Sequence, residues 1–295
     1  MAIENFVLIV GAMKCGTTTL FDLLARHPQI CPCKSKEPSF FAFEDRWAEG
    51  FSWYESLFEF DAKTHRYALD GSTDYTKFPF ASGVVERLER SAPRKFKLIY
   101  LIRDPVDRME SHARHTQLRK RELGRALSPR NDHSLDQGVS PISLATSRYV
   151  DQLLQFRKHI SEHQMLVLSL EDLSHQPDKT VNRVLDFLDL EPYEYHNIGP
   201  SNKFKDQKEI PNTVQAIRTI IPFRRHLRSL FGDEFIENVI DAWRRTPQLK
   251  GRFKFTEEER LALESSYHAE FELLSRISDG GDPELSSLLS ELRDK

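Results

Sequence analysis

The sequence predicts an α/β protein: a parallel β-sheet flanked by helices, with a mostly helical C-terminal part. Three short apolar runs have the composition of strands that are buried on both faces. They are FVLIV at residues 6–10, FKLIYLI at 96–102 and MLVLSL at 165–170. Each run is followed by a helical pattern, and strands that alternate with helices indicate a parallel sheet.

The first apolar run leads into the stretch GAMKCGTTTL, which joins it to a helix with apolar residues Leu20, Leu23 and Leu24 at helical spacing. Gly11 and Gly16 have the spacing of a phosphate-binding loop. Backbone N–H groups and the positive end of the helix dipole converge on an anion in such a loop. The sequence therefore predicts a P-loop-type sheet that binds an anion at the start of its first helix.

The later elements follow the same order of strand and helix. After the second run, Asp104 has the properties of an N-cap and Pro105 those of a first helical residue. The stretch YALDGS at 67–72 predicts a further short strand. The polar stretch at 119–141 predicts a mobile loop, and 279–295 predicts a polar tail.

Size and composition predict a single globular domain over residues 1–295. Hydrophobic residues make up 39% and charged residues 29%, and the net charge of −3 gives no bulk reason to bind nucleic acid. No apolar run is long enough to cross a bilayer, and no basic and then apolar leader follows Met1. Three cysteines near the start fit a reducing compartment, so we expect a cytoplasmic protein. Nothing in the sequence indicates an oligomeric state.

The lysine of the loop is displaced from its place in a nucleoside triphosphate site. Such a loop carries its lysine after the second glycine, whereas Lys14 lies between the two glycines. A kinase also needs a way to hold Mg²⁺, usually an acid at the end of a second strand. Arg103 stands there instead and would repel a metal but bind a second phosphate, to which Ser111 can add a hydroxyl. This pair of anion sites predicts that the protein binds a nucleotide with phosphate groups at two separate positions and uses no metal ion.

These stretches resemble the sulfotransferases that use 3′-phosphoadenosine 5′-phosphosulfate (PAPS), in particular the heparan-sulfate-type and related bacterial enzymes. GAMKCGTTTL resembles their 5′-phosphosulfate loop, and YLIRDPVDRMESH resembles their 3′-phosphate element. KSKEPSFF at 34–41 resembles the stretch that carries their catalytic glutamate. The resemblance covers roughly the first two-thirds of the chain.

The resemblance implies PAPS as co-substrate, 3′-phosphoadenosine 5′-phosphate (PAP) as product, and no metal. Lys14 would contact the oxygen that bridges phosphate and sulfate. Glu37 would be the general base, although spacing alone would make it a solvated carboxylate beside Lys34 and Lys36. The implied donor-binding residues are Lys14, Cys15, Gly16, Thr17, Thr18, Thr19, Arg103, Ser111, Lys250, Gly251 and Arg252. The last three lie in the C-terminal stretch LKGRFKFT, which resembles a basic loop that closes over the 3′-phosphate.

Two alternatives stay open at this point: a P-loop kinase of a small metabolite, and a nucleotide-binding module without catalysis. The acceptor is expected to carry a hydroxyl and to be a sugar, a lipid or a small metabolite. In DGSTDYTKF at 70–78, Gly71 stands where heparan-type enzymes commonly have a lysine, which weakens the case for a sulfated glycan. Lys77 is a cation that could compensate. His112 and His115 are candidates for the surface or the acceptor site.

Overall fold

A computed structural model describes residues 2–123, 139–157, 159–193, 253–278 and 284–293. Its centre is a five-stranded sheet in which every pair of neighbouring strands is parallel. The predicted α/β class is therefore confirmed. The strands are β1 (Asn5–Gly11), β2 (Ile30–Pro32), β3 (Tyr67–Asp70), β4 (Lys95–Ile102) and β5 (Met165–Ser169). The three predicted apolar runs form β1, β4 and β5.

The order of the strands places β1 in the middle of the sheet, as β2-β3-β1-β4-β5. The chain leaves β1 for β2 and β3 on one side and then crosses to β4 and β5 on the other. Such a switch point opens a crevice at the carboxyl ends of the strands. There the N–H of Ala12 donates a hydrogen bond to the carbonyl of Leu101 at 2.7 Å. The loop after β1 and the carboxyl end of β4 therefore meet at one edge of the sheet.

Twelve α-helices lie within the described residues, and the last three give the C-terminal part its predicted helical character. They are α1 (Thr17–Leu24), α2 (Glu44–Ala48), α3 (Gly50–Ser56), α4 (Val84–Glu89), α5 (Pro105–Leu123), α6 (Pro141–Ser147), α7 (Tyr149–Arg157), α8 (Leu170–His175), α9 (Pro177–Phe187), α10 (Glu257–Ser266), α11 (His268–Ile277) and α12 (Leu285–Arg293). Short 3₁₀ turns occur at Thr73–Thr76 and Glu162–Gln164.

The start of α5 has the predicted cap. Pro105 is its first residue, and Oδ1 of Asp104 accepts hydrogen bonds from the N–H groups of Val106 (2.8 Å) and Asp107 (2.9 Å). An aspartate cap followed by proline satisfies donors that have no partner inside the helix. This cap fixes the direction in which the chain leaves β4, just after Arg103.

An aromatic cluster anchors the 34–41 stretch in the core. Phe40 and Phe41 have no exposed surface, and Phe40 stacks on Tyr54 with ring centroids 4.5 Å apart. Tyr54 in turn stacks on Phe6 of β1 at 5.5 Å. Aromatic pairs of this kind stabilise a core beyond the area that they bury. The end of the stretch that carries Glu37 is therefore fixed to the sheet.

Two predictions about polar segments need correction. In the stretch 119–141, α5 continues to Leu123 and α6 begins at Pro141, while residues 124–138 lie outside the described residues. The helix continues because Arg, Lys, Glu and Leu are good helix formers. The predicted polar tail, 279–295, contains α12, whose buried Leu288, Leu289 and Leu292 form one apolar helix face.

Candidate active site

The loop of residues 11–16 turns tightly between β1 and α1. Gly16 has a φ of +87°, and a Cβ atom at this position would lie 2.7 Å from Cδ1 of Leu170. A Cβ atom at Gly11 would lie 2.0 Å from Oγ1 of Thr76. Both positions therefore need glycine. The backbone can then approach a ligand at the start of α1, as a phosphate-binding loop requires.

Lys14 lies inside this loop among other cations. Burial, followed by the guanidinium groups of Arg103, Arg108 and Arg114, lowers the pKa of Lys14, while the carboxylate of Glu37 raises it. Repulsion among like charges is relieved when an anion binds between them. The cations come from the β1 loop, the end of β4 and α5. The fold thus brings cations from three separate segments together, an arrangement that suits an anionic ligand.

Arg103 directly follows β4 and carries an unsatisfied donor. Its Nε is buried and has no hydrogen-bond partner within the described part of the chain. Its Nη2 lies 3.4 Å from Oδ2 of Asp107. A buried guanidinium donor without a partner favours an anionic ligand. Ser111, the predicted second contact to this anion, lies partly buried in the second turn of α5.

Arg108 is fully buried, and the sequence analysis missed it. Its Nε donates to Oγ of Ser147 (2.6 Å), its Nη2 to the carbonyl and Oγ of Ser143, and its Nη1 to the carbonyl of Met13 (3.4 Å). Among the described residues it forms no ion pair with a carboxylate. A buried cation without a counter-ion is costly, and an anion in the loop would offset it. The sequence did contain one indication of this role, because Arg108 lies three residues before Ser111 and therefore on the same helix face.

The other predicted loop residues lie at the start of α1. Thr17 is buried, and Thr18 and Thr19 are partly buried. The first N–H groups of a helix lack intrahelical partners and can bind an anion. Cys15 is buried, and its Sγ lies 3.7 Å from the hydroxyl of Tyr149. Burial raises the pKa of this thiol to about 11, so it stays protonated near neutral pH.

The N–H of Cys15 is already used within the loop, since it donates to the carbonyl of Ala12 at 3.1 Å. It is therefore not free to hold a phosphate in this conformation. Cys15 contributes by shaping the loop.

Glu37 lies at the exposed mouth of the site. Its Oε1 accepts a hydrogen bond from Nζ of Lys36 at 2.9 Å and lies 3.5 Å from Oγ1 of Thr73. Its charge acts on Lys14 across the crevice. The structure thus brings together the two side chains predicted to be catalytic, one on the loop after β1 and the other on the stretch after β2.

The neighbours of Gly71 leave little room for a side chain at this position. A Cβ atom there would lie 2.8 Å from Cδ2 of Phe21 and 3.3 Å from the carbonyl oxygen of Lys36. Nζ of Lys36 donates to the carbonyl of Gly71 at 3.3 Å. A different lysine therefore stands against this position. Lys77, the other candidate, is buried and pairs with Asp74 at 2.5 Å.

His112 faces the cations of the site from α5. It is buried, and its Nδ1 has no hydrogen-bond partner within the described residues. Burial, followed by Arg108, Lys77, His115 and Lys14, lowers the pKa of His112 to about 2. The imidazole is neutral at working pH and accepts a proton poorly, so it is a weak candidate for the base. It can form a hydrogen bond with a ligand.

Lys250, Gly251 and Arg252 lie outside the described residues, but the chain directly after them docks on α5. Nη1 of Arg114 donates to the carbonyl of Phe253 at 3.3 Å, and the N–H of Phe255 donates to Oε1 of Glu110 at 3.1 Å. These contacts hold residue 253 beside an arginine whose charge acts on Lys14.

No group of three or more His, Cys, Asp or Glu side chains in the described ranges is arranged to hold a metal ion. Transfer without a metal remains a prediction. None of the helices that the structure describes is both long enough and apolar enough to cross a membrane.

The fold and the site define a parallel α/β protein with a glycine loop after its central strand and cations gathered at two neighbouring strand ends. The lysine inside its loop distinguishes it from an ordinary nucleoside triphosphatase. A family model described as "Sulfotransferase domain" matches residues 4–220, and the chain belongs to this family. The predicted resemblance is therefore confirmed, and membership supports an enzyme that transfers sulfuryl groups.

The curated proteins to which the chain is similar include heparan sulfate enzymes. The chain is 33% identical to human heparan sulfate glucosamine 3-O-sulfotransferase 6 over 198 residues, which is 62% of this chain and 52% of that protein. It is 28% identical to human heparan sulfate glucosamine 3-O-sulfotransferase 3B1 over 189 residues, which is 62% of this chain and 45% of that protein. The chain spans about half the length of these curated relatives.

A solved structure has a similar fold. A sulfotransferase from Alicyclobacillus acidocaldarius superposes with a TM-score of 0.54 at 24% identity, covering 83% of this chain and all of that one. At this identity the similarity concerns the fold alone, and it agrees with the parallel sheet and flanking helices described above.

Proposed function

We propose that this protein transfers a sulfuryl group from PAPS to an acceptor hydroxyl. The observation that carries the proposal is the group of cations around Lys14, together with the buried Nε of Arg103 that has no partner among the described residues. PAPS has anionic groups at two ends. Lys14 and the start of α1 suit the 5′-phosphosulfate, and Arg103 with Ser111 suits the 3′-phosphate.

The residues of this chain have separate roles in the proposed reaction. When bound, PAPS supplies an activated sulfuryl group. Lys14 stabilises the negative charge that develops on the leaving oxygen. Glu37 accepts the proton of the acceptor hydroxyl as this hydroxyl attacks sulfur in line with the leaving group. The scheme requires no metal ion.

We propose a hydroxyl-bearing acceptor from the sugars, lipids or small metabolites. The names of the curated relatives favour a sugar hydroxyl. The arrangement at Gly71, with Lys36 against its backbone, differs from the lysine that the resemblance leads one to expect there. For location we propose the cytoplasm, because the three cysteines are free thiols.

Calorimetric titration with PAP and with ATP–Mg²⁺ tests the donor. We expect tight binding of PAP without added metal and weak binding of ATP–Mg²⁺. Binding of PAP and later transfer should survive excess EDTA. Tighter binding of ATP–Mg²⁺ than of PAP, or transfer that stops with EDTA, would contradict the proposal and favour a kinase of a small metabolite.

Transfer itself is tested by incubating cell extract with PAPS labelled in the sulfuryl group. Mass spectrometry of the labelled products then identifies the acceptor class, and boiled enzyme provides the background. We expect one or a few labelled compounds that carry a new sulfate ester. Tight PAP binding with no labelled product across sugar, lipid and small-metabolite fractions would indicate a binding module without catalysis.

A further inference from the structure

Arg260, on α10, binds both acidic residues at the start of α5. Its Nη2 lies 2.7 Å from Oδ2 of Asp104, and its Nη1 lies 3.0 Å from Oδ1 of Asp107. Its Nε donates to Oε1 of Glu264 on its own helix at 3.0 Å. The guanidinium group therefore uses all of its nitrogens on carboxylates. Two of these carboxylates flank the first turn of α5, next to Arg103.

Asp107 is shared between two arginines. One carboxylate oxygen lies 3.4 Å from Nη2 of Arg103, and the other accepts from Arg260. Asp104 and Asp107 thus place two negative charges beside the side chain assigned to the 3′-phosphate. Without a neighbouring positive charge, these two carboxylates would repel a phosphate and compete with it for Arg103. Arg260 supplies the positive charge that opposes them.

We infer that Arg260 is a positioning residue of the donor site. It engages the carboxylates of Asp104 and Asp107, so that the guanidinium of Arg103 remains available to the 3′-phosphate of the donor. Arg260 acts through these two acids. The inference rests on the proposed function, because it assumes that Arg103 binds the 3′-phosphate.

A simpler role would be to fasten α10 to α5, but other contacts already hold the chain at both ends of α10. The N–H of Phe255, just before α10, donates to Oε1 of Glu110 on α5, and the hydroxyl of Tyr267, just after α10, donates to the carbonyl of Leu144 on α6 at 3.0 Å. A fastening role would change the binding of every ligand alike. A charge role changes only the binding of a ligand that carries a 3′-phosphate.

A double-mutant cycle with two ligands separates these roles. Arg260→Gln, Asp107→Asn and the double variant are titrated calorimetrically with PAP and with adenosine 5′-monophosphate, which lacks the 3′-phosphate. We expect Arg260→Gln to weaken PAP roughly 5- to 20-fold and to change the monophosphate less than about twofold. Adding Asp107→Asn to this variant should restore most of the PAP affinity, although it removes a further ion pair.

Glu264→Gln is the matched control, because it removes the carboxylate partner of Arg260 that lies on α10 itself and not beside Arg103, and it should leave PAP affinity unchanged. Thermal unfolding of each variant verifies that the fold is kept. Unchanged PAP affinity in Arg260→Gln, equal losses for both ligands, or no rescue by Asp107→Asn would overturn the inference. Absence of PAP binding by the wild-type protein would instead overturn the proposed function.

Discussion

The backbone N–H of Ser39 donates a hydrogen bond to Oγ of Ser72, with the two atoms 2.9 Å apart. Oγ of Ser72 in turn donates to Oδ1 of Asp70 at 2.6 Å, and the hydroxyl of Tyr54 donates to Oδ2 of Asp70 at 2.8 Å. Asp70 and Ser72 have no exposed surface. Because Ser39 lies two residues after Glu37, this buried network holds the stretch that carries the proposed base.

Ser72→Ala is expected to lower turnover while PAP affinity stays unchanged. The substitution leaves the N–H of Ser39 without its partner and removes the hydroxyl donor to Oδ1 of Asp70, which keeps the backbone N–H of Ser72. We expect this to cost about 1–3 kcal/mol of unfolding free energy. Urea unfolding measures that loss, and kcat with the identified acceptor measures the catalytic effect. Ser56→Ala, at an exposed helical serine, is the control and should change neither. Wild-type kcat in a destabilised Ser72→Ala would show that the network does not position Glu37.

Glu37→Gln is expected to keep PAP affinity and to lose turnover by about 10²–10⁴-fold, because an amide cannot accept the proton of the acceptor. The losses in kcat and in kcat/KM should be equal, which places the defect in the transition state. Glu59→Gln is a suitable control, since Glu59 is an exposed carboxylate that pairs with Lys34 at 3.2 Å. Near wild-type turnover in Glu37→Gln would remove Glu37 from the mechanism.

Local patterns predicted the elements that position the site. The strands β1, β4 and β5 are apolar runs long enough to be recognised, and the pair Asp104 and Pro105 predicted the start of α5. The strand β2 has only three residues and includes Pro32, too few to show a period. The helix α12 was missed because its leucines stand among charged and small residues in a stretch that has a polar composition overall.

The sequence predicted individual site residues better than the contacts between them. Lys14 and Arg103 belong to motifs that can be read within a few residues. In contrast, Arg108 reaches Met13 across 95 positions of sequence, and Arg260 reaches Asp104 across 156. Such contacts depend on how helices pack, and no local pattern contains that information.

Arg103→Ala is expected to weaken PAP binding strongly while the fold is kept. Loss of a charge-assisted contact to a partly buried phosphate costs about 1.5–3 kcal/mol of binding free energy, or roughly 10- to 150-fold in Kd. Arg103→Lys should restore only part of this, because an ammonium lacks the planar fork. Arg66→Ala is the control, since Arg66 forms an exposed ion pair with Asp189. Unchanged PAP affinity in Arg103→Ala would refute the assignment of the 3′-phosphate.

Glu270, on α11, is expected to make the protein less stable as the pH rises. The residue is 2% exposed, and its Oε2 has no hydrogen-bond partner within the described ranges. Burial raises the pKa of Glu270 to about 7 from its ordinary value of 4.5. Between these values the folded state binds a proton that the unfolded state has released. The free energy of unfolding therefore falls from about pH 4.5 to pH 7 and levels off above.

Glu270→Gln tests this expectation, because the amide keeps the shape of a protonated carboxyl and cannot ionise. At about pH 8 the variant should be more stable than the wild type by about 1–3 kcal/mol, and at about pH 4.5 the two should be similar. Urea unfolding at several pH values gives the difference. Glu258→Gln, at an exposed carboxylate of α10, should leave the pH dependence unchanged. A difference between Glu270→Gln and the wild type that does not grow with pH would mean that Glu270 is ionised in the folded protein, with its charge compensated by its surroundings, among them Arg148.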